Sequence, residues 1–181
     1  MYFEKAGPVN TTQTIQLALK RAKELDIKHI VVASNTGETA KNLVACELTV
    51  VCVTHHVGFA EPGHDEMSAE MKAYLTNEGL KILTTTHLFA GVDRAVRNKF
   101  GGVYPAEIMA QTLRILGQGV KVAVEISSMA LDAGLIPHGE KVISIGGTGK
   151  GADAAIIIKP EHSNHLFETK VLEIICKPAN I

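Results

Sequence analysis

Apolar residues fall along this chain in short blocks, separated by longer stretches in which they recur every three or four positions. The blocks predict buried strands over 27–33, 48–53, 80–84, 141–145, 154–158 and 169–176, and the longer spacing predicts helices over 12–25, 36–45, 65–79, 88–99 and 105–117. In the first helix Ile15, Ala18, Leu19, Ala22 and Leu25 share a face, with Lys20, Arg21, Lys23 and Glu24 elsewhere around the axis. In the third, Met67, Met71, Tyr74 and Leu75 do the same and Gly79 is the stop signal. Phe89, Val92, Val96 and Phe100 share a face of the next, broken by Gly101-Gly102, and Pro105 suits the first turn of its successor. Over 118–133 two periods compete. Val120, Val122, Val124 and Ile126 alternate like a strand, but Met129 to Ala133 and the closing Gly134 favour a buried helix.

This alternation of strands and helices, with no long structureless linker, predicts one α/β domain over 1–181 with three layers, α/β/α, around a mixed, mostly parallel sheet. The strands share a second property. Each central one ends in small, hydroxyl-bearing or glycine-rich residues: Ser34-Asn35-Thr36-Gly37, Thr54-His55-His56, Thr84-Thr85-Thr86-His87 and Gly146-Gly147-Thr148-Gly149-Lys150-Gly151. Ligands of open α/β sheets bind beyond the carboxyl ends of the strands, so the four loops are expected to converge on one polar site.

Composition narrows the partners. With a net charge of -1 there is no basic stripe to neutralise nucleic-acid phosphates, and with 4% aromatic residues and no Trp there is no base-stacking platform. No apolar run approaches the ~18 residues of a membrane span, and Glu4 and Lys5 interrupt any signal-peptide core. Cys46, Cys52 and Cys176 have neither an even count nor metal-ligand spacing. A cytoplasmic protein with buried, reduced thiols is expected, bound neither to nucleic acid nor to membrane.

Two loops suit an anion. Over 34–39, between a strand and a helix start, hydroxyls on Ser34, Thr36 and Thr39 and the close backbone approach allowed by Gly37 would suit a phosphate monoester. Asn35 followed by Glu38 is also a capping-box pattern, which needs no ligand. Gly146 to Gly151 offers backbone amides and one cation, Lys150; it is either an anion-binding nest or a flexible turn, and its spacing is not that of a Walker loop. His55, His56 and His64, near Asp65 and Glu66, match no zinc motif, so no metal is expected; His55 or His56, and His87 at the next strand end, are expected to hydrogen-bond a ligand or a neighbouring loop. Glu125 lies among apolar residues and demands a partner such as Arg94, Arg97 or Lys99, or else is a general base of raised pKa.

The run Val31 to Ala40 resembles the strand-loop-helix of the pyruvate kinase C-terminal domain, in which a Ser/Thr-Gly loop holds a phosphate of a sugar-bisphosphate effector. Lys99-Phe100-Gly101-Gly102, Val120 to Ile126, Asp132 to Pro137 and Ile145 to Asp153 extend the likeness over essentially the whole chain, which is similar to the stand-alone, mainly archaeal and bacterial family of pyruvate kinase C-terminal-like proteins. The resemblance implies a sheet of core order 3-2-1-4-5 with the fifth strand antiparallel, a helical 118–133, and the loops at 34–39 and 146–151 side by side. It does not imply catalysis of ATP formation, because 181 residues leave no room for the barrel that performs it. Glu38 puts an acid in the phosphate loop, which favours a monoester with an attached ring system over a bisphosphate.

The leading expectation is therefore a domain, assembled as a homo-oligomer, that binds a phosphorylated small molecule such as flavin mononucleotide. Ser34, Asn35, Thr36, Gly37, Glu38 and Thr39 grip the phosphate; Gly146, Gly147, Thr148, Gly149 and Lys150 close over it; and Thr54, His55, Thr85, Thr86 and His87 line the rest. The alternatives are a small enzyme on a phosphorylated or flavin-linked substrate, with Glu125 or His55 as acid/base and Arg94 or Lys99 stabilising charge, and an oligomeric scaffold with a vestigial effector site.

Overall fold

The strands and helices were placed in a computed structural model that describes residues 1–179. In chain order they are β1 (Tyr2–Phe3), α1 (Thr11–Glu24), β2 (His29–Ala33), β3 (Thr49–Val53), α2 (Ala69–Asn77), β4 (Lys81–Leu83), α3 (Gly91–Phe100), α4 (Pro105–Arg114), α5 (Gln118–Asp132), β5 (Val142–Gly146), β6 (Ala154–Lys159) and β7 (Lys170–Pro178). The sheet runs β1-β7-β6-β5-β2-β3-β4. β4, β3, β2 and β5 are mutually parallel and β6 is antiparallel to β5. The core order and the antiparallel fifth strand are as the resemblance implies. β7 adds antiparallel to β6, and β1, which the apolar pattern does not mark because it is two residues long, adds parallel to the end of β7.

Parallel strands must be covered on both faces, and the period of two divides these side chains between two cores. Ile30, Val32, Val50, Cys52, Ile143, Ile145 and Ile157 pack with Ile15, Ala18 and Ala22 of α1 and Leu75 of α2. Val31, Val51, Val53, Val142, Ile156 and Ile158 pack with Val120, Ala123, Val124 and Ile126 of α5. α5 is buried nearly all round because α4 covers its outer side, which is why its sequence showed two competing periods. Within β5, Ser144 points at α5 and its hydroxyl donates to the Ala123 carbonyl at 2.7 Å.

α3 and α4 fall two or three residues short of their predicted spans, and two other segments fall well short. The segment 36–45 forms only a 3₁₀ turn at Ala40–Leu43. α2 begins at Ala69 rather than Asp65 because Ser68 caps it, its hydroxyl accepting from the Met71 N–H at 3.1 Å, while Asp65 is used in a turn that accepts from the Met67 N–H.

Candidate functional site

β2 continues one residue past its end, Ser34 N–H donating to the Val53 carbonyl at 3.0 Å. The Ser34 hydroxyl then accepts from the N–H groups of Thr39 and Ala40, at 3.1 and 3.3 Å, closing the loop on itself. The N–H groups that open the 3₁₀ turn are thus taken by Ser34 and not by an Asn35–Glu38 box. Gly37 is also differently employed. It is buried at φ 92°, and a Cβ there would lie 2.4 Å from Met71 Cγ, so its close approach is to α2 and not to a ligand. Thr36 and Glu38 are exposed, Asn35 half-buried and Thr39 buried.

The glycine loop after β5 is braced against the start of α1. A Cβ on Gly151 would lie 2.4 Å from Thr11 Oγ1 and 2.7 Å from Pro8 Cα; a Cβ on Gly147 would collide with the Gly151 carbonyl. The Ala152 N–H donates to Thr11 Oγ1 at 3.0 Å, and Gly7 N–H donates to the buried Asp153 carboxylate at 2.8 Å. Gly146 lies so close to the first turn of α5 that a Cβ would sit 2.2 Å from the Gly119 carbonyl oxygen.

These contacts set the N-terminal ends of α1 and α5 beside the same two loops, around one cavity of about 790 Å³. Its lining includes Ser34, Asn35, Thr36, Glu38 and Thr39 from the first loop, Gly147, Gly149, Lys150 and Gly151 from the second, and His55 from the end of β3. Pro8, Thr11, Ala33, Glu66, Gln118 and Val122 complete it, none of them singled out in the sequence as lining a site. Topology held the signal for two of these. A helix that leads into a parallel strand begins at the carboxyl edge of the sheet, so the starts of α1 and α5 had to lie there. At the start of α5 the unpaired N–H groups attract anions, whereas at α1 the Thr11 N–H is already taken by the Pro8 carbonyl and that end contributes its dipole.

Convergence stops at β3. Thr54 is buried, its hydroxyl 2.7 Å from that of Thr84, and stitches the ends of β3 and β4 together. Thr85 and Thr86 open onto a separate cavity of about 240 Å³ with Leu83, Leu88, Met129, Asp132 and Ala133. Gly37, Gly146 and Thr148 are absent from the main cavity's lining. His87 lines neither cavity, its ring centroid 5.3 Å from that of His55; burial pushes its pKa down, an effect the nearby Glu125 carboxylate partly opposes.

His55 is the one imidazole on the main cavity's lining. Its Nδ1 lies 2.5 Å from Glu66 Oε2, and its ring stacks on Phe59 with centroids 3.7 Å apart. The neighbouring acids and histidines turn elsewhere: Asp65 pairs with Lys72, and His56 Nδ1 is 2.8 Å from the Val57 carbonyl. Glu125 is 4% exposed and already engaged, accepting from Lys121 Nζ and, at 2.8 Å, from the Phe89 N–H. Its partner is thus one turn back on its own helix, not Arg94, Arg97 or Lys99. Burial lowers the Lys121 pKa, with Glu125 opposing. Cys52 is no nucleophile, since burial pushes its thiol up to about 12.

Residues 12–158 match the family model described as the pyruvate kinase alpha/beta domain. The chain belongs to that family. Among solved structures it is similar to pyruvate kinase from Cryptosporidium parvum at 14% identity and a TM-score of 0.40, over 84% of this chain and 23% of that one. A second structure of the Cryptosporidium parvum enzyme, in complex with ADP, matches at 14% identity and a TM-score of 0.38, over 81% of this chain and 22% of that one. The chain thus spans less than a quarter of the length of these kinases. Among the described residues no helix is long and apolar enough to cross a membrane.

Proposed function

We propose that this alpha/beta domain is a cytoplasmic receptor for a small phosphate monoester, held at the carboxyl edge of β2 and β5. The observation that carries this reading is the joint lining of one cavity by the N-terminal ends of two long helices from opposite faces of the sheet, a Ser/Thr loop and a glycine loop bearing Lys150. Each supplies backbone or side-chain donors, and the sum favours a compact anion. The volume of about 790 Å³ is that of a nucleotide-sized ligand.

Flavin mononucleotide is one ligand of this class. Its phosphate suits the cradle, while the apolar lining that its ring needs is confined to Pro8, Ala33 and Val122. The test is thermal stabilisation by flavin mononucleotide compared with riboflavin, which lacks the phosphate, and with inorganic phosphate. At 100 times its Kd a ligand adds about 2.7 kcal/mol of stability. Stabilisation by the phosphorylated compounds alone, lost in the Thr36→Ala/Thr39→Ala variant, supports the reading; equal stabilisation by riboflavin defeats it.

Assembly of copies is a separate proposal, favoured by the apolar residues left bare between α3 and α4: Val92, Phe100, Val103, Ile108 and Ile115, all at least 56% exposed. Sedimentation equilibrium with Phe100→Ser/Ile108→Ser as comparison decides it; a wild-type monomer at 100 μM removes it.

A further inference from the structure

His55 and Glu66 have a placement that phosphate capture does not require. The 54–68 loop is already closed by backbone bonds, Gly58 N–H to the His64 carbonyl at 2.9 Å and Phe59 N–H to the His56 carbonyl at 3.1 Å, and is tied down by Asp65 with Lys72. The His55–Glu66 pair is not needed to pin it. Instead both side chains line the main cavity, 25% and 24% exposed, which shields the pair from bulk water yet leaves it reachable by a ligand. Phe59 fixes the ring plane. Glu66 occupies Nδ1, and Nε2 is left as the ring atom that can exchange a proton. A carboxylate on Nδ1 fixes that tautomer and stabilises the imidazolium that forms when Nε2 takes a proton.

The rest of the lining indicates what such a base would act on. A phosphate held at one helix end leaves the second helix N-terminus, and the Lys150 ammonium, within the same cavity. Fixed positive potential beside a base favours a reaction in which the substrate gains negative charge at an oxygen, as when a proton leaves a carbon next to a carbonyl.

We propose that the cavity is a catalytic site in which His55, positioned by Glu66, reversibly abstracts the proton α to the carbonyl of a small phosphorylated carbonyl compound. This rests on the phosphate reading above. In the forward step the C–H bond breaks, its proton bonds to Nε2, its electron pair forms the carbon–carbon double bond, and the carbonyl π pair moves to oxygen as an enolate. The Nε2 proton exchanges with solvent, and the imidazolium then returns a solvent-derived proton to the same face of the same carbon. No electron is gained or lost, and the net change is exchange of that carbon's hydrogen with solvent. His55 is the catalytic residue and Glu66 the positioning residue.

The experiment is deuterium wash-in followed by proton NMR, with the protein in D₂O and three probes: dihydroxyacetone phosphate, ribulose 5-phosphate and fructose 6-phosphate. Deuterium is expected at the carbon next to the carbonyl of at least one probe, with the rate falling by about 100-fold or more in His55→Gln. Glu66→Gln is expected to lower the exchange rate at saturating probe by less and to leave the half-saturating probe concentration unchanged, since Glu66 orients the base and does not hold the phosphate; Glu66→Asp is expected to recover part of the loss. A thermal melt of each variant, with His55→Asn as a second substitution, separates lost chemistry from lost folding. No deuterium in any probe, or undiminished exchange in folded His55→Gln and His55→Asn, overturns the proposal. Thermal stabilisation by the probes without exchange leaves the phosphate receptor standing and removes the base. Exchange as fast with the dephosphorylated ketoses keeps the base and removes the phosphate anchor, and with it the proposal as stated.

Discussion

The two halves of the sheet's carboxyl edge use polar residues in opposite ways. On the β2–β5 side, the loops at 34–39 and 147–151 and the starts of α1 and α5 all open onto one cavity. On the β3–β4 side, polar groups satisfy one another: Thr54 with Thr84, and Lys121 with Glu125, which also takes the Phe89 N–H. The difference follows from the topology. β2 and β5 are neighbours whose connections leave in opposite directions, which opens a crevice, whereas β3 and β4 are joined through α2 on one side and close over their own ends. Residue type alone does not distinguish a binding threonine from a stitching one; the position of its strand in the sheet does.

The largest effect that would break this comparison lies in the buried pair. Lys121→Met leaves the Glu125 carboxylate buried without its cation, and urea unfolding should show a loss of about 3–5 kcal/mol. The Lys121→Met/Glu125→Leu double variant should recover most of that loss, because neither charge then needs desolvating. Recovery would mark the pair as structural; failure to recover would mean that the ion pair itself holds the β4 side together. Neither variant should shift the affinity of the cavity for inorganic phosphate.

Next in size are two glycines, Gly146 at the end of β5 and Gly149 in the loop that follows it. Gly146→Ala drives a methyl against the Gly119 carbonyl, and since the obstacle is backbone it should cost about 3 kcal/mol, near the top of the range for overpacking. It should also abolish ligand-dependent stabilisation, by moving the α5 end away from the cavity. Gly149→Ala meets no atom within 4 Å and pays only for a left-handed backbone at φ 74°, about 1–2 kcal/mol. Thermal melts with and without inorganic phosphate compare the two. Equal costs would mean that the close approach of β5 and α5 does not set the site.

Much of this arrangement was legible in the sequence. The central parallel strands β2, β3 and β5 announce themselves because each carries apolar residues to both faces, as in Ile30-Val31-Val32 with its side chains divided between the two cores. The first loop was legible too, but not the work of its residues. Asn35 and Glu38 fit a capping pattern by spacing, yet it is Ser34, at the end of the strand, that accepts from the N–H groups of Thr39 and Ala40, a geometry set by where β2 stops. Glu125 was recognised as a buried acid in need of a cation; the cation was missed because Lys121 also lies in the apolar helix and does not look like a surface charge. Glu66 was visible only as part of a charged cluster. Its pairing with His55 depends on a loop fold that no local pattern encodes.

A smaller effect comes from His87, whose ring lies 5.3 Å from that of His55. Burial holds its folded pKa below the ordinary value near 6.5, with Glu125 and Lys121 acting in opposite senses upon it and His55 adding to the depression. Between the depressed folded pKa and 6.5 the unfolded chain binds a proton that the native chain does not. Its contribution to stability is therefore fully present above pH 6.5 and is lost as pH falls below it, with a slope of at most about 1.4 kcal/mol per pH unit. Urea unfolding of wild type and His87→Asn across pH 5 to 8 reads this directly. The variant should flatten the profile below 6.5 and leave the difference constant above it.

The smallest effect on folding should accompany a clear effect on binding, and it separates the two halves most cleanly. Lys150 is exposed and makes no ion pair among the described residues, so Lys150→Ala should change stability by no more than about 0.5 kcal/mol. If the glycine loop closes over an anion, the same substitution removes a cation from the cavity wall and should weaken inorganic phosphate by about 1 kcal/mol, roughly fivefold. Titration calorimetry at two ionic strengths measures both parts. An unaltered affinity would assign the anion to the helix ends and the Ser34 loop alone, whereas an effect that fades at high salt is what a solvent-facing ammonium beside a phosphate produces.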